Sequence, residues 1–414
     1  MINHSLSHAD SAGYVHRGTY GRGTSRKAGE SALTDPTSRT GPPEGITVLG
    51  TAQWAAWQER RLPPVERVAD GIWSVPVPIP HNPLRYTLSY LLEGDGGLLV
   101  VDPGWNSQEG WDALQAGIAE AGATTGDVTG IVTTHVHPDH HGLSERLRRK
   151  SGAWIAMHPA ERETLPQRMR RALGTHDTLT AWLHDQGAPE PDARELGGPF
   201  DARDPETAAM ADPDVLLDDG DLVPVAGRTL RAVWTPGHTP GHLCLQEADE
   251  RLLLTGDHVL PRITPNIGLY PGGIGAPLAD FLTSLTRIKD FGDHDALPAH
   301  EYRFRGLGER ARLLAEHHEQ RCQEIVDVIA GLGTPTPWQV ATHLTWSRPW
   351  AEVGRMRIGA LAETASHLDH LVGEGRLTWH TGSGSGPDSQ DRIRLATPTT
   401  PTTSTTPTTA RSTT

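Results

Sequence analysis

The chain has 414 residues and a formal net charge of −14 at pH 7. This length allows two domains, or one large domain with extensions. The acidic balance argues against broad, non-specific binding to nucleic acid or to an anionic membrane, although a cleft that holds cations would reverse the local sign. The two cysteines, Cys244 and Cys322, are too few for a disulfide framework or a cysteine-rich zinc module, and they fit a reducing compartment.

Both ends of the chain are expected to be disordered. Residues 1–63 are rich in Gly, Ser, Thr, Arg and Pro with few apolar clusters, and residues 397–414 form a Thr/Pro/Ser repeat. The N-terminus has no basic segment followed by an apolar one, and no run of about 18 apolar residues occurs. The sequence therefore predicts a cytoplasmic protein that makes no contact with a membrane.

The region 64–308 alternates strand and helix patterns. Apolar runs predict strands in its first half, at 71–77, 86–92, 98–101, 131–134 and 153–157. A helix is predicted over 108–121, and the polar, Pro-rich stretch 161–214 is interpreted as an insertion or lid. Three more strands are predicted around 230–234, 243–245 and 252–254. Strands at both ends with helices between them predict an α/β layered core.

The character of the sequence changes again over 309–396. Helices are predicted at 309–331, 337–344 and 351–374, and two strands at 376–379 and 393–395 flank a Gly/Ser-rich loop. Three helices followed by a hairpin is the order of elements in a winged helix-turn-helix module. We therefore expect a small, separate winged-helix-like domain after the α/β domain.

The run Thr134–His140 reads T-H-V-H-P-D-H and follows a predicted strand directly. If that strand continues to His137, the side chains of His135 and His137 project from the same face. Asp139 and His140 then lie in the turn that opens the next helix. Two imidazoles for one metal, and a carboxylate plus an imidazole for a second, are suitable ligands for Zn²⁺ or a similar divalent ion. The alternative is a histidine-rich surface turn that binds no metal.

Three turns further along the chain follow strand patterns and end in residue types that bind metals. The first holds His238 in T-P-G-H-T-P-G-H, the second holds Asp257 in L-T-G-D-H, and the third holds His300 in L-P-A-H-E. A carboxylate with two oxygens can bridge two metals about 3.5–4 Å apart. Each turn alone could be an ordinary loop, but their order and their shared context favour a metal site.

As a set, these motifs resemble the ordered motifs of the metallo-β-lactamase-fold hydrolases. The run Val101–Gly104, V-D-P-G, matches the first motif of that family, and the resemblance covers about residues 68–305. It implies a four-layer αβ/βα sandwich with the metals at one edge. One departure concerns the last motif, which is usually Pro-Gly-His in the family and here is Pro298-Ala299-His300. The alanine leaves the histidine in place but makes a tight turn less easy.

The resemblance implies a centre of two divalent metal ions, expected to be Zn²⁺. The first ion would take His135, His137 and His238, and the second would take Asp139, His140 and His300, with Asp257 bridging the two. Asp102 would orient a ligand without touching a metal. Further candidates for orienting ligands or for shaping the substrate pocket, with ordinary loop polarity as the alternative, are Thr239, His242, His258, Arg262, Asn266 and Tyr270.

The expected reaction is hydrolysis. Two divalent ions that share a water would lower its pKa to about 7, and the resulting hydroxide would attack a carbonyl carbon or a phosphorus atom. Asp139 can hydrogen-bond the attacking water as well as ligate, so Asp139 and Asp257 are the predicted catalytic residues. The hydroxyacylglutathione hydrolase branch of the family favours a thioester or ester of a small molecule as the substrate.

Two alternatives stay open. A metal core followed by a winged-helix-like domain is also similar to a β-lactamase-like branch that contains ribonucleases, so an endoribonuclease or other phosphodiesterase is the second hypothesis. Residues 309–396 contain nine Arg, no Lys and eleven acids, and a surface that tracks phosphates would normally carry a basic excess. A lid role, or a homodimer contact, therefore suits that domain better than binding of nucleic acid. The third hypothesis, a non-catalytic winged-helix regulator with a degenerate metal fold, conflicts with the complete ligand set.

Overall fold

The computed structural model describes residues 41–172, 177–198, 210–273, 275–380 and 391–396. Residues 1–40 of the expected leader and the expected tail 397–414 lie outside the described residues. Among the described residues, none of the helices is both long enough and apolar enough to cross a membrane.

Most strands belong to two sheets. The strands are β1 Thr47–Val48, β2 Glu66–Ala69, β3 Ile72–Pro78, β4 Tyr86–Gly94, β5 Gly97–Val101, β6 Val128–Val132, β7 Trp154–Met157, β8 Val215–Leu216, β9 Leu230–Trp234, β10 Leu243–Glu247, β11 Leu252–Gly256, β12 Asp295–Pro298, β13 Phe304–Arg305, β14 Leu377–His380 and β15 Arg392–Leu395. One sheet has seven strands in the order β2-β3-β4-β5-β6-β7-β8, and the other has six in the order β1-β13-β12-β11-β10-β9. The strands β14 and β15 form a separate antiparallel pair.

The helices alternate with these strands along the chain. They are α1 Thr51–Gln58, α2 Gln108–Glu120, α3 Pro138–His141, α4 Ser144–Ser151, α5 Pro159–Ala172, α6 Asp177–Asp185, α7 Glu190–Gly197, α8 Pro277–Ile288, α9 Leu307–Leu332, α10 Pro337–His343 and α11 Arg357–Gly373. Short 3-10 turns occur at Thr125–Asp127, Lys289–Phe291, Trp350–Glu352 and Gly354–Met356. The predicted helix over 108–121 is confirmed by α2.

The two large sheets pack face to face around an apolar core. Leu88 and Val101 of the seven-stranded sheet belong to one buried cluster with Ala232, Leu245 and Leu254 of the six-stranded sheet. Burial of a side chain of this size stabilises the fold by about 1.5–3 kcal/mol. Residues along β4 and β5 are buried on both faces of their sheet, and those that face the six-stranded sheet hold the two sheets against each other.

Helices cover the outer face of each sheet. The residues Trp111, Leu114 and Ile118 recur at helical spacing on one side of α2 and pack with Val75 and Val100 of the seven-stranded sheet. Ser107 caps this helix, since its side chain accepts a hydrogen bond from the backbone N–H of Gly110 at 2.9 Å. On the other side, α8 and α9 cover the six-stranded sheet. The α/β four-layer order that the family resemblance implies is thus present.

The segment from residue 41 to residue 63 differs from the disordered leader that was expected. Its strand β1 pairs with β13, and its helix α1 buries Gln53 and Ala56. Gln53 donates a hydrogen bond to Ser74 and accepts one from the backbone of Arg303, at 3.0 and 2.9 Å. Trp54 stacks on Trp57 within the same helix. The polar composition of this segment predicted disorder, but the segment contains a short helix that a few specific contacts stabilise.

The C-terminal region, residues 309–396, has the predicted order of three helices and a hairpin. The long helix α9 begins at Leu307 and so spans the expected boundary between residues 308 and 309. Leu314 in its first half and Ile325 in its second half belong to a buried cluster that also contains Phe304 of the six-stranded sheet, and the helix contacts α11 and β15. Both halves belong to one continuous core. We call the part formed by α10, α11, β14, β15 and the second half of α9 the C-terminal module.

Candidate metal centre

The predicted metal ligands meet where strands of both sheets end. His238 follows β9, Asp257 follows β11 and His300 follows β12, while Asp139 and His140 lie in α3. β11 and β12 run parallel, so the residues that follow their carboxyl ends come to the same edge of the sheet. All seven predicted ligands are brought together here.

The strand that precedes His135 and His137 does not continue to His137. β6 ends at Val132, and His135 and His137 lie in a loop rather than at the end of a strand. Their rings converge nonetheless, because Nε2 of His135 lies 2.8 Å from Nδ1 of His137. The backbone of the loop, rather than strand alternation, sets their directions.

The first ligand group contains three imidazoles and one carboxylate. Nδ1 of His137 lies 3.0 Å from Nε2 of His238, which in turn lies 3.5 Å from Oδ2 of Asp257. With His135, these residues offer four ligand atoms that are all within 4.8 Å of one another. Four such atoms around one point match the tetrahedral coordination of Zn²⁺, whose distance to a histidine nitrogen is about 2.0–2.1 Å.

The second ligand group contains Asp139, His140 and His300. Oδ2 of Asp139 lies 3.8 Å from Nε2 of His140 and 3.5 Å from Nε2 of His300. Oδ1 of Asp257 also faces these two nitrogens, at 3.6 Å from His140 and 3.2 Å from His300. Since the other oxygen of Asp257 faces His238, the two oxygens of this carboxylate point to different groups. That is the arrangement of a bridging ligand.

The unsatisfied polar atoms of the site fit bound cations. Oδ1 of Asp257 and Nε2 of both His140 and His300 are buried and form no hydrogen bond within the described part of the chain. Leaving a buried polar atom without a partner costs about 1–3 kcal/mol, and more for a charged group. Three such atoms converging on one place are explained by a divalent ion that binds them.

Most ligand rings are oriented from behind by a hydrogen bond. Nδ1 of His140 lies 2.8 Å from Oδ2 of Asp102, whose carboxylate also accepts hydrogen bonds from the backbone N–H and the hydroxyl of Thr134. Backbone carbonyls accept from the Nδ1 atoms of two other ligands: that of Tyr86 from His300 at 2.8 Å, and that of Asn266 from His238 at 2.9 Å. Each contact leaves Nε2 facing the metal site.

The electrostatics of the site depend on its burial. Burial lowers the pKa of His135 well below its ordinary value, and the neighbouring histidines lower it further, so this imidazole is neutral, as a metal ligand must be. For His140, burial opposes the charge, but Asp257, Asp102 and Asp139 raise its pKa well above the ordinary value. The pKa of Asp257 is well below its usual range: burial opposes this, but His300 and His140 hold it there. Metal binding at the second group would therefore displace a proton.

Glu161 is a part of the site that sequence reasoning missed. Its buried carboxylate accepts hydrogen bonds from the backbone N–H of Val136 at 2.8 Å and from that of Gly241 at 2.7 Å. These two amides belong to the loops that carry His137 and His238. Glu161 therefore ties the two loops together. In the sequence it stands at the start of a polar stretch, and only its burial distinguishes it from the acids around it.

Four of the remaining candidates position a predicted ligand or line a cavity beside the site. His242 accepts a hydrogen bond from the backbone N–H of Asp257 at 3.1 Å, so it positions the bridging carboxylate. Three others, Thr239, Asn266 and Tyr270, line a cavity beside the site.

Two further candidates, His258 and Arg262, are buried and are not among the residues that line the cavity. His258 is fully buried with its ring edge-on to Phe281, and burial lowers its pKa to about 3, so it is a packing residue. Arg262 is also buried, with its guanidinium 4.0 Å from the ring of Trp57, and it does not line the cavity. Cys244, expected to be buried packing, is buried, and burial raises the pKa of its thiol to about 12.

The alanine of the last motif is compatible with its turn. Positive φ is found at Glu301, at 69°, and Ala299 is not among the described residues with positive φ. The backbone of Ala299 instead extends the sheet, donating to the carbonyl of Gly256 and accepting from the N–H of Leu88. This position therefore does not require glycine.

A cavity of about 1020 Å³ lies against the metal site. His137 and His238 form part of its wall. The opposite wall comes from the C-terminal module and contains Trp346, Val353, Met356, Ala360 and Glu363. A ligand in this cavity would thus contact the metal site and the C-terminal module at once.

Comparisons with known proteins show the family of the chain. The family model described as the metallo-beta-lactamase superfamily matches residues 82–300, which is more than half of the chain. A crystal structure of a metallo-beta-lactamase family protein from Thermus thermophilus is 31% identical, with a TM-score of 0.64, over 80% of this chain and 100% of that one. The chain is also 26% identical to a beta-lactamase-like protein 2 homolog of Caenorhabditis elegans, over 79% of this chain and 96% of that protein.

A shorter match concerns a protein named acyl-coenzyme A thioesterase MBLAC2, from Bos taurus. It is 34% identical over 131 residues, which are 31% of this chain and 40% of that protein. The chain belongs to the metallo-beta-lactamase superfamily, and it is a metal-dependent hydrolase.

Proposed function

We propose that the protein is a binuclear hydrolase, loaded with two Zn²⁺ ions, that cleaves a thioester or ester of a small molecule. The observation that carries the proposal is the carboxylate of Asp257. Its two oxygens face two separate ligand groups, and the first of these groups forms part of the wall of a large cavity. A centre of this kind acts on a molecule that fits into the cavity.

The residues of the chain supply positioning and proton transfer. Bound divalent ions supply Lewis acidity and lower the pKa of a water molecule to about 7. Asp139 has a carboxylate at the second ligand group and can accept a proton from an attacking water. Asp257 holds the two ligand groups at a fixed separation. The proposed catalytic residues are therefore Asp139 and Asp257.

The lining of the cavity supports an acyl substrate. Apolar side chains from two parts of the chain face it, among them Leu269 and Tyr270 beside the metal site and Trp346, Val353 and Met356 in the C-terminal module. Such a wall suits a hydrocarbon chain or another apolar acyl group. The name of the bovine relative, an acyl-coenzyme A thioesterase, points to the same class of bond.

The charge of the lining disfavours nucleic acid. Three acidic residues line the cavity, Glu163, Asp280 and Glu363. Among the described lining residues, Arg348 is the only arginine or lysine. A phosphodiester chain would meet more negative than positive side chains there, outside the metals themselves. The order of elements in the C-terminal module, which we propose to be winged-helix-like, nevertheless keeps a phosphodiesterase as the second candidate.

The test is metal analysis of the purified protein, followed by hydrolysis assays with thioesters, esters, lactones and phosphodiesters. We expect two equivalents of zinc and turnover of acyl thioesters or esters. His135→Ala and Asp257→Ala should each lose metal and at least about 100-fold in rate, since the metal supplies several kcal/mol of transition-state stabilisation. Turnover of phosphodiesters alone would support the second candidate. If both variants keep their metal and their activity, the proposed centre is wrong.

A further inference from the structure

Asn266 lies between the metal site and the C-terminal module. It belongs to the loop that joins β11 to α8. Its backbone carbonyl accepts a hydrogen bond from Nδ1 of His238 at 2.9 Å. This contact fixes the rotation of the His238 ring, and with it the direction in which Nε2 faces the first ligand group.

The side chain of Asn266 is held by the helix α11. Its Nδ2 donates to the carbonyl of Gly359 at 3.2 Å and to Oε2 of Glu363 at 3.2 Å. The hydroxyl of Tyr270 donates to Oδ1 of the same amide at 2.8 Å. One residue thus contacts a metal ligand through its backbone and the C-terminal module through its side chain.

A backbone contact fastens the same loop to the same helix. The N–H of Leu269 donates to the carbonyl of Ala362 at 2.9 Å. The side chain of Glu363 is half-buried, and burial raises the pKa of its carboxyl group. Loss of the Glu363–Asn266 hydrogen bond would leave the Asn266 amide with one partner fewer and would loosen the loop.

We infer that the C-terminal module sets the orientation of the metal ligand His238, with Glu363 as the positioning residue that holds Asn266. The inference rests on the proposed function only in that the first ligand group binds a metal. It gives the C-terminal module a part in building the metal centre, in addition to its part in enclosing the cavity.

If Glu363 contacts the substrate instead of positioning Asn266, its substitution should give a different result. Glu363 also lines the cavity, where it could contact substrate and leave the metals unaffected. A substrate contact alters KM or kcat without changing metal affinity. A positioning role alters metal affinity even when no substrate is present.

The test compares Glu363→Ala, Glu363→Gln and wild type. Zinc affinity is measured by competition with a chromophoric chelator, and ligand geometry is measured by the visible absorption of the cobalt-substituted protein. We expect Glu363→Ala to weaken one of the two zinc affinities by about tenfold and to alter the cobalt spectrum. Tenfold is the lower end of the effect found when a residue that orients a metal ligand is replaced. Glu363→Gln should keep both at wild-type values, because its carbonyl oxygen can still accept from Asn266.

Asp369→Ala is the matched control. Asp369 lies on the same helix and does not line the cavity, and its substitution likewise removes a carboxyl group. It should bind zinc as wild type does. If Glu363→Ala fails to fold, Asn266→Asp tests the same bond, because it places a second carboxylate against Glu363 and should weaken zinc binding. Adding Glu363→Gln to that variant should restore part of the affinity.

The inference is wrong if Glu363→Ala binds both zinc ions with wild-type affinity and keeps the wild-type cobalt spectrum. A rise in KM in that variant would then assign Glu363 to the substrate. Failure of the proposed substrate class would look different. All variants and wild type would bind zinc as expected here, and none would hydrolyse thioesters or esters.

Discussion

Asp102 has a backbone conformation that few side chains adopt, with φ at +52°. Asp and Asn tolerate this left-handed region better than other non-glycine residues. The carboxylate holds both His140 and Thr134, and through Thr134 it reaches His135, since the Thr134 hydroxyl lies 3.1 Å from Nδ1 of His135. One carboxylate therefore supports a ligand in each of the two groups.

Asp102→Asn should weaken metal binding about 10–100-fold while leaving the fold intact. Asparagine keeps the backbone conformation, but its amide would place N–H groups either against the backbone N–H of Thr134 or against the N–H of His140 and the hydroxyl of Thr134. The measurement is zinc affinity by chelator competition, with thermal unfolding as the check on folding. Asp95→Asn, in the exposed turn between β4 and β5, is the control and should bind zinc normally. Wild-type affinity in Asp102→Asn would mean that the negative charge is dispensable.

At the scale of single residues, the sequence predicted those site residues that belong to recognisable motifs. Histidine and aspartate at fixed spacings before and after glycine turns are rare enough to be found in one sequence, and the structure brings all seven together. Glu161, which has no motif, could not be found in this way. The sequence left open the roles of Arg262 and His258, because polarity in a loop does not reveal whether a side chain points to the cavity or into the core.

The loops after β6 and β9 are held together by one side chain. Glu161, at the start of α5, accepts a backbone hydrogen bond from each loop with its two oxygens. A glutamine has the same shape but only one acceptor oxygen. Its amide nitrogen would meet a backbone N–H that also donates.

Glu161→Gln should therefore lower the free energy of unfolding by about 1–3 kcal/mol, the cost of one unsatisfied buried amide. It should also weaken zinc binding, since the loops of His137 and His238 would separate more easily. Urea unfolding and chelator competition measure the two effects. Glu120→Gln, at the exposed end of α2, changes the same groups and should have no effect. Equal stability of the two variants would contradict the role given to Glu161.

At the scale of elements, apolar periodicity was a good guide and composition was a poor one. The alternating and apolar runs predicted β3, β4, β5 and α2 to within a few residues, because the burial of side chains determines both the apolar pattern and the structure. The helix α1 was missed because its stability depends on Gln53 and on stacked tryptophans, and not on an apolar stripe. The end of β6 was placed too late because turn geometry outweighs propensity there.

At the scale of the whole molecule, two buried histidines lie where the C-terminal module meets the catalytic core. Nδ1 of His318 in α9 lies 3.1 Å from Nε2 of His367 in α11, and the ring of His318 stands edge-on to Phe281 of α8. Burial lowers the pKa of His367 to about 3 and that of His318 well below its ordinary value. Both side chains are neutral in the folded protein at pH 7.

Stability should therefore fall as the pH is lowered from 7 to 5. In the unfolded chain a histidine binds a proton near pH 6.5, whereas folded His367 resists protonation down to about pH 3. Between these values the unfolded state holds more protons, so each such group costs up to about 1.4 kcal/mol of stability per pH unit. Urea unfolding of metal-free protein at several pH values measures this dependence. His367→Gln should have a shallower slope than wild type, and identical slopes would show that His367 does not stay neutral.

The boundary between the parts of the molecule could not be predicted from local patterns. The change in composition near residue 309 is real, but α9 carries one continuous core across it. Which surfaces of two helical regions pack together depends on the shapes of both, and a single sequence does not display those shapes. The contact of the C-terminal module with Asn266 could not be predicted from the sequence for the same reason.

The seven predicted ligands come from both halves of the sandwich. His135, His137, Asp139 and His140 follow β6 of the seven-stranded sheet, while His238, Asp257 and His300 follow strands of the six-stranded sheet. Ions bound there would cross-link two layers that otherwise adhere mainly through apolar contacts. Since an unfolded chain cannot present this cage, metal supply and resistance to unfolding are thermodynamically linked. In a cell short of the metal, the protein would lose its reaction centre and, with it, part of its protection from proteases.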